Sequence, residues 1–244
     1  METKWWSKLL AFCGVLAALL LLAAPMLYKF GISELRPVFT LLMVAMVLAV
    51  LVIVAGLVAL FIAIRKGLVS DRNLSAIGLV IALVPVIVLA PSLMKGRSVP
   101  PIHDITTDTA NPPLYERAVE LRASALNDLV YGSEVGSPGK LAAMQQAAYP
   151  DLHPLTSGLS VPEAVARAAQ VLTSMGLEVV NEDAENGRVE AVATTFWFGF
   201  KDDVVVRVRA TDSGTRIDVR SVSRVGQSDL GANAARISQF LAAF

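Results

Sequence analysis

The sequence predicts a membrane region of three helices followed by an α+β domain, whose antiparallel four-stranded sheet carries helices on one face. Three observations support this fold class. Hydrophobic residues make up 55% of the 244-residue chain and charged residues only 17%, against roughly 25% in an ordinary soluble domain. The most apolar stretches are three long runs before residue 95. Residues 203–211 instead alternate between apolar and polar side chains, which is typical of a strand with one buried face.

The three apolar runs, residues 9–28, 38–64 and 74–94, contain no charged residue. A spanning helix needs about 20 residues to cross roughly 30 Å of hydrocarbon, so each run passes the length test. The first run also resembles a secretory signal peptide, but Leu22 is a poor match to the small residue required before a cut after Ala24, and an uncleaved span is favoured. Proton and ion pathways need ionisable groups inside spans, so the pattern argues against a pump or transporter.

Basic residues near the runs predict the orientation. Lys4 and Lys8 precede the first run, and Arg65, Lys66 and Arg72 follow the second. Positively charged loops favour the cytoplasm, which places the N-terminus there. Three crossings then place residues 100–244 outside it, and cleavage of the first run would leave them there as well. We therefore predict a multi-pass protein of the bacterial inner membrane with a periplasmic domain.

Small residues recur every fourth position in the second run, at Ala55, Ala59 and Ala63. Such spacing lets helices approach closely in lipid. The three alanines predict a packing face between the spans or between protomers, so that an oligomer is possible, although chance in an alanine-rich run is an equal alternative.

The charges divide the chain into two parts. Residues 1–99 hold 9 basic and 3 acidic residues, and residues 100–244 hold 12 and 18. The acidic outer part argues against nucleic-acid binding. We predict a membrane region over 1–97, a linker loop over 98–113 and the α+β domain over 114–244. Within the domain we expect helices at 114–130, 140–148, 161–175 and 230–244, and strands at 177–181, 188–196, 203–211 and 215–224.

The last two strands can be placed in register from the turn between them. If Ser213 and Gly214 are its two residues, Arg209 lies opposite Asp218 and Arg207 lies opposite Arg220. This pairing keeps both faces chemically consistent, and it places like charges side by side unless something neutralises them.

Three motifs resemble one known family. They are Ile-His-Asp-Ile-Thr-Thr-Asp at 102–108, Asp-Asp-Val-Val-Val-Arg-Val at 202–208, and the long segment from Arg220 to Ile237. In this order they resemble the bacterial and plastid family called domain of unknown function 1499, over roughly residues 100–244. The resemblance implies an envelope or plastid setting and brings no established activity.

The candidate sites favour a binding module over an enzyme. An arginine face with Arg216 and the segment after the last strand predict a site for an anionic small molecule, lipid head group or envelope protein, since guanidinium groups suit phosphates and carboxylates. The alternatives are a surface ion-pair network with Asp203, Asp218 and Glu190, and a simple helix cap. The predicted anion-binding residues are Arg207, Arg209, Arg220, Arg224, Ser228, Asp229 and Arg236.

The motif loop is a third candidate, with His103, Asp104, Thr107 and Asp108. Its spacing fits no metal site, and no cofactor is predicted. A hydrolase using His103 with Asp104, Asp203 or Asp229 is the first alternative function. A structural membrane subunit is the second.

Overall fold

The computed structural model describes residues 3–244. The chain divides into two compact units. One holds the residues up to Lys95 together with 197–199, and the other holds Gly96–Phe196 and Phe200–Phe244.

The first unit contains two long helices, α1 (Trp5–Lys29) and α2 (Leu35–Arg65), and all but the last three residues of a third, α3 (Val69–Ser98). Each is long and apolar enough to cross a membrane, which confirms the three predicted spans at this level. Short connections turn the chain between the helices, so neighbours run antiparallel. Gly31 and Gly67 have φ of 68° and 66° in these connections, a conformation that glycine adopts at little cost.

Glycines let α1 and α3 approach closely. A Cβ added to Gly14 would lie 2.6 Å from the carbonyl oxygen of Gly78, and one added to Gly78 would lie 3.0 Å from the backbone of Ala11. No side chain fits at Gly14 unless the helices move apart. Hydrogen at the two α-carbons is therefore what permits this crossing.

The predicted alanine face of α2 does not share one environment. Ala59 and Ala63 are buried among the helices with Ala45, Ala49 and Gly56, whereas Ala55 is exposed. Two of the three alanines therefore pack inside the bundle. An oligomer formed through this face stays a prediction.

The second unit contains a six-stranded antiparallel sheet, not the predicted four strands. Its order is β1-β6-β5-β4-β3, with β2 paired to the other half of β6. The strands are β1 (Asp104–Thr106), β2 (Leu155–Ser157), β3 (Glu178–Asp183), β4 (Arg188–Thr194), β5 (Lys201–Thr211) and β6 (Gly214–Ser223).

The two strands that were not predicted have three residues each, too few to show an alternating pattern. The strand β1 falls in the predicted linker loop, where Ile102 and Ile105 are fully buried instead of exposed. Residues 102–108 therefore belong to the domain.

The predicted register between β5 and β6 is wrong by two residues. Arg207 lies opposite Asp218, Arg209 opposite Arg216, and Val205 opposite Arg220. The turn uses residues 212 and 213, since Thr211 pairs with Gly214. A shift of two residues keeps every side chain on its predicted face, because strand side chains alternate with a period of two.

Helices α5 (Pro138–Ala148), α6 (Val161–Ser174) and α7 (Ala232–Ala243) build the main core against one face of the sheet. Ser160 and Glu163 form a capping box at the start of α6, as a serine before an apolar periodic stretch indicates. Leu172, Ile217 and Phe240 are among the fully buried core residues.

The opposite face is covered by residues 107–131, here called the strap. The predicted helix over 114–130 is wrong: only α4 (Arg117–Leu121) forms. Beyond it, the strap makes hydrogen bonds to the sheet and to the loop that follows β6. Asn127 donates its side-chain amide to the carbonyls of Ser223 and Gly226 at 3.0 and 2.9 Å. These bonds hold the backbone away from a helical path.

Candidate functional site

A buried arginine of β6 joins the sheet to the strap. Arg220, only 1% exposed, donates its Nε and Nη2 to the two carboxylate oxygens of Asp104 at 2.9 and 2.6 Å. Its remaining bonds go to the carbonyls of Pro113 and Leu129 in the strap. Its guanidinium also lies over the ring of Tyr115, 5.3 Å from the centroid. Arg220 therefore has its donors committed inside the protein.

Two further predicted arginines are engaged in the same way. Arg224 donates to both oxygens of the buried Asp203, at 2.7 and 3.0 Å, and to the carbonyl of Leu121. Arg236 donates to Asp202 at 2.7 Å. The bond to Leu121 ties Arg224 to the strap, and the Arg236–Asp202 pair ties α7 to β5.

Ser228 and Asp229 serve the start of α7. The Asp229 carboxylate accepts hydrogen bonds from the backbone N–H groups of Gly231 and Asn233 at 2.7 and 2.8 Å, and Ser228 Oγ accepts from Leu230. The free N–H groups at this helix end are thus taken up by an internal carboxylate. The geometry matches the helix-cap alternative stated above.

The motif residues His103, Asp104, Thr107 and Asp108 are all buried, in and beside strand β1. His103 Nδ1 lies 2.5 Å from Glu134 Oε2, and the His103 backbone N–H donates to the same oxygen at 3.0 Å. Burial lowers the pKa of His103, but the hydrogen bond and charge of Glu134 outweigh it, so the pKa is raised above 6.5. Thr107 Oγ1 accepts from the backbone of Val219 at 2.9 Å. The carboxylates that the hydrolase alternative paired with His103 are each engaged elsewhere.

One group of predicted arginines remains partly open to solvent. Arg207, Arg209 and Arg216, here called the arginine triad, lie on neighbouring positions of β5 and β6 on the strap face. All three surround the carboxylates of Asp108 and Asp218.

The two aspartates hold the triad in a fixed arrangement. Asp108 Oδ2 accepts from all three guanidinium groups at 3.1–3.3 Å. Asp218, which is fully buried, accepts from Arg207 and Arg209 with one oxygen and from Arg216 with the other. The aspartates neutralise the directly opposed arginines and leave one formal positive charge in excess.

The outer donors of the triad face solvent. The side chains of Arg209 and Arg216 are each 40% exposed. Within residues 3–244, Arg209 Nε and Nη1 and Arg216 Nη1 make no hydrogen bond. The triad can therefore donate to an external anion without breaking an internal pair.

The sequence grouped seven residues into one anion site, and the structure brings only Arg207 and Arg209 of these into the triad. It adds Arg216, which was placed on the same face, and Asp108, which was assigned to the motif loop. Glu134 was not singled out, because its partner His103 is 31 residues away. Over the described residues no group of three His, Cys, Asp or Glu side chains is placed to hold a metal ion.

Together these features define a class of protein, one with three apolar helices of membrane-spanning length and an α+β domain whose second sheet face is closed by a strap held by ion pairs. The chain belongs to the family described as protein of unknown function (DUF1499), whose model matches residues 104–244. The match begins at the first residue of β1 and runs through α7. No curated protein matches the chain.

Proposed function

We propose that the chain is a multi-pass protein of the bacterial inner membrane whose periplasmic domain binds an anionic group through the arginine triad. The ligand carries a phosphate or carboxylate, whose oxygens accept from the outer donors of Arg209 and Arg216. The observation that carries the proposal is the convergence of three guanidinium groups on two carboxylates with one positive charge in excess. A guanidinium donates from several fixed N–H groups, so it can hold an internal carboxylate and an external anion together.

The surroundings of the triad support this assignment. Asp108 and Asp218 order the side chains before a ligand arrives, which lowers the entropy cost of binding. Arg220 and Arg224 do not compete, because both are enclosed with their own carboxylates, and Arg188, opposite Arg207, pairs with Glu116. The orientation rests on the basic residues Lys4, Lys8, Arg65, Lys66 and Arg72.

Thermal unfolding of the full-length protein with added anions tests the proposal. Inorganic phosphate is compared with chloride at equal ionic strength. A ligand at a hundred times its Kd stabilises the folded state by about 2.7 kcal/mol, or roughly 5–10 °C for a domain of this size. Arg209→Gln should weaken phosphate binding about tenfold or more, since a hydrogen bond to a charged group contributes about 1.5–3 kcal/mol.

Arg117→Gln is the matched control, because Arg117 is 50% exposed on α4 and bonds to Glu120. A lipid source of the anion is tested by co-flotation of the protein, held in zwitterionic nanodiscs, with phosphatidylglycerol vesicles. Stabilisation by phosphate alone indicates a soluble ligand, and co-flotation lost in Arg209→Gln indicates a lipid head group. The proposal is wrong if neither phosphate nor phosphatidylglycerol binds. It is also wrong if Arg117→Gln and Arg209→Gln change the binding equally.

A further inference from the structure

An apolar groove opens between the beginning of α1 and the last turns of α2. It has a volume of about 440 Å³. The groove is lined by Trp5, Trp6, Leu9, Leu10, Ala55, Val58, Ala59 and Ile62. The groove lies within the helical unit and contains no residue of the arginine triad. The exposed Ala55 forms part of its wall.

Basic side chains border one end of the groove. Lys8 directly precedes Leu9 of the wall, and Arg65 lies three residues after Ile62, which places it one turn further along the same face of α2. Lys4 and Lys66 extend this rim, and all four are exposed. All four lie next in the chain to this end of the groove, at the start of α1 and the end of α2, so this end carries an excess of positive charge.

The acidic group at this end, Asp71, offsets only part of the rim charge, since one carboxylate stands against four basic side chains. Asp71 is 3% exposed and accepts from the backbone N–H of Lys4 at 2.7 Å and from Ser7 Oγ at 2.6 Å. Its carboxylate thus fastens the first turn of α1 to α3 and faces into the protein. The surface of the rim remains cationic over the described residues.

The charge of the rim decides between two occupants. A second copy docked by the same groove would bring two sets of like charges together, since a twofold interface pairs a patch with itself. An anionic phospholipid instead supplies an apolar chain for the walls and a phosphate for the rim. Basic pockets between spans bind anionic head groups in this way, and tryptophans at the interface contact both parts of a lipid.

We propose that this groove binds one acyl chain of an anionic phospholipid, with the phosphate held by Lys8 and Arg65. The site is separate from the arginine triad and holds a lipid within the bilayer, next to the first and second spans. Its ligand class is a phospholipid with net negative charge.

Native mass spectrometry of the detergent-purified full chain tests this proposal with phosphatidylglycerol and phosphatidylcholine as probes. The chain should retain phosphatidylglycerol in preference to phosphatidylcholine. Arg65→Gln should weaken retention of phosphatidylglycerol about fivefold, the effect of about one basic residue near an anionic surface. Arg36→Gln removes an exposed charge at the opposite end of α2 and should have no effect.

A second pair of variants tests the groove itself. Ala55→Phe fills the groove from an exposed position and should reduce retention of phosphatidylglycerol at least as much, whereas Ala23→Phe on the exposed surface of α1 should not. Each variant is also combined with Arg209→Gln, so that lipid bound at the arginine triad does not contribute to the measured retention. Equal retention of both lipids, or equal effects of each variant and its control, overturns the proposal. A dimer that Ala55→Phe dissociates without loss of lipid overturns it in favour of a second copy.

Discussion

Replacing Asp104 by asparagine should strongly destabilise the domain. The Asp104–Arg220 pair has two hydrogen bonds of 2.9 and 2.6 Å, and Arg220 is 1% exposed. Asp104→Asn removes the negative charge and leaves the guanidinium enclosed without its counter-ion. Breaking a buried pair in this way costs about 3–5 kcal/mol, more than most single substitutions.

Hydrogen exchange of the full-length protein measures this change in the domain alone. Backbone amides of β5 and β6 should exchange faster by about two to three and a half orders of magnitude, the factor that corresponds to 3–5 kcal/mol. Asp151→Asn is the control, since Asp151 is exposed. Exchange within about threefold of the unmodified protein would refute the role given to the pair.

A double variant separates the charge from the shape of the pair. Asp104→Leu with Arg220→Met removes both charges of this pair, and such replacements are often neutral or stabilising. Here Arg220 also donates to the carbonyls of Pro113 and Leu129, which lose a partner. Exchange in the double variant should therefore lie between that of the unmodified protein and that of Asp104→Asn.

Three other substitutions test separate parts of the structure. Glu134 raises the pKa of His103 in the folded protein, so the pair adds stability below pH 6.5 that is lost as the pH rises through this folded pKa. His103→Gln should remove this pH-dependent loss from the free energy of unfolding, measured with urea at a series of pH values. The fully buried Glu190 carboxylate accepts hydrogen bonds from three backbone N–H groups at the start of α4. Glu190→Gln replaces it by a neutral amide, so hydrogen exchange of the amides over 116–121 should become at least tenfold faster. Unchanged exchange would contradict this anchoring. Gly14→Val places a side chain against an α3 carbonyl oxygen, so thermal stability of the helical unit should fall, whereas Gly139→Val, with open space around it, should leave it unchanged.

Much of the fold could be predicted from local pattern. The spans follow from length and the absence of charge, and α6 follows from its cap and periodic apolar residues. The strands β3 to β6 are long enough to alternate. In contrast, β1 and β2 have three residues each and exist only because β6 offers them partners. The strap departs from a helix because side chains such as Asn127 find partners on the sheet and its following loop.

The candidate site could be predicted only in part. The face that carries Arg207, Arg209 and Arg216 follows from alternation, and it survives the two-residue error in register. The partners do not follow from alternation. Asp108 lies 99 residues before Arg207, and only the path of the strap brings them together. Which arginines stay open to solvent also depends on where the strap lies, which composition and spacing do not encode.

Cysteine labelling tests the central claim most directly, that three crossings place the domain across the membrane from the N-terminus. The chain has one cysteine, Cys13, so Cys13→Ser removes the background. Ser213→Cys is placed in the exposed β5–β6 turn and Lys66→Cys in the connection between α2 and α3. In cells with a permeabilised outer membrane, a maleimide that cannot cross the inner membrane should label Ser213→Cys and not Lys66→Cys. Labelling of Lys66→Cys with protection of Ser213→Cys would contradict the account.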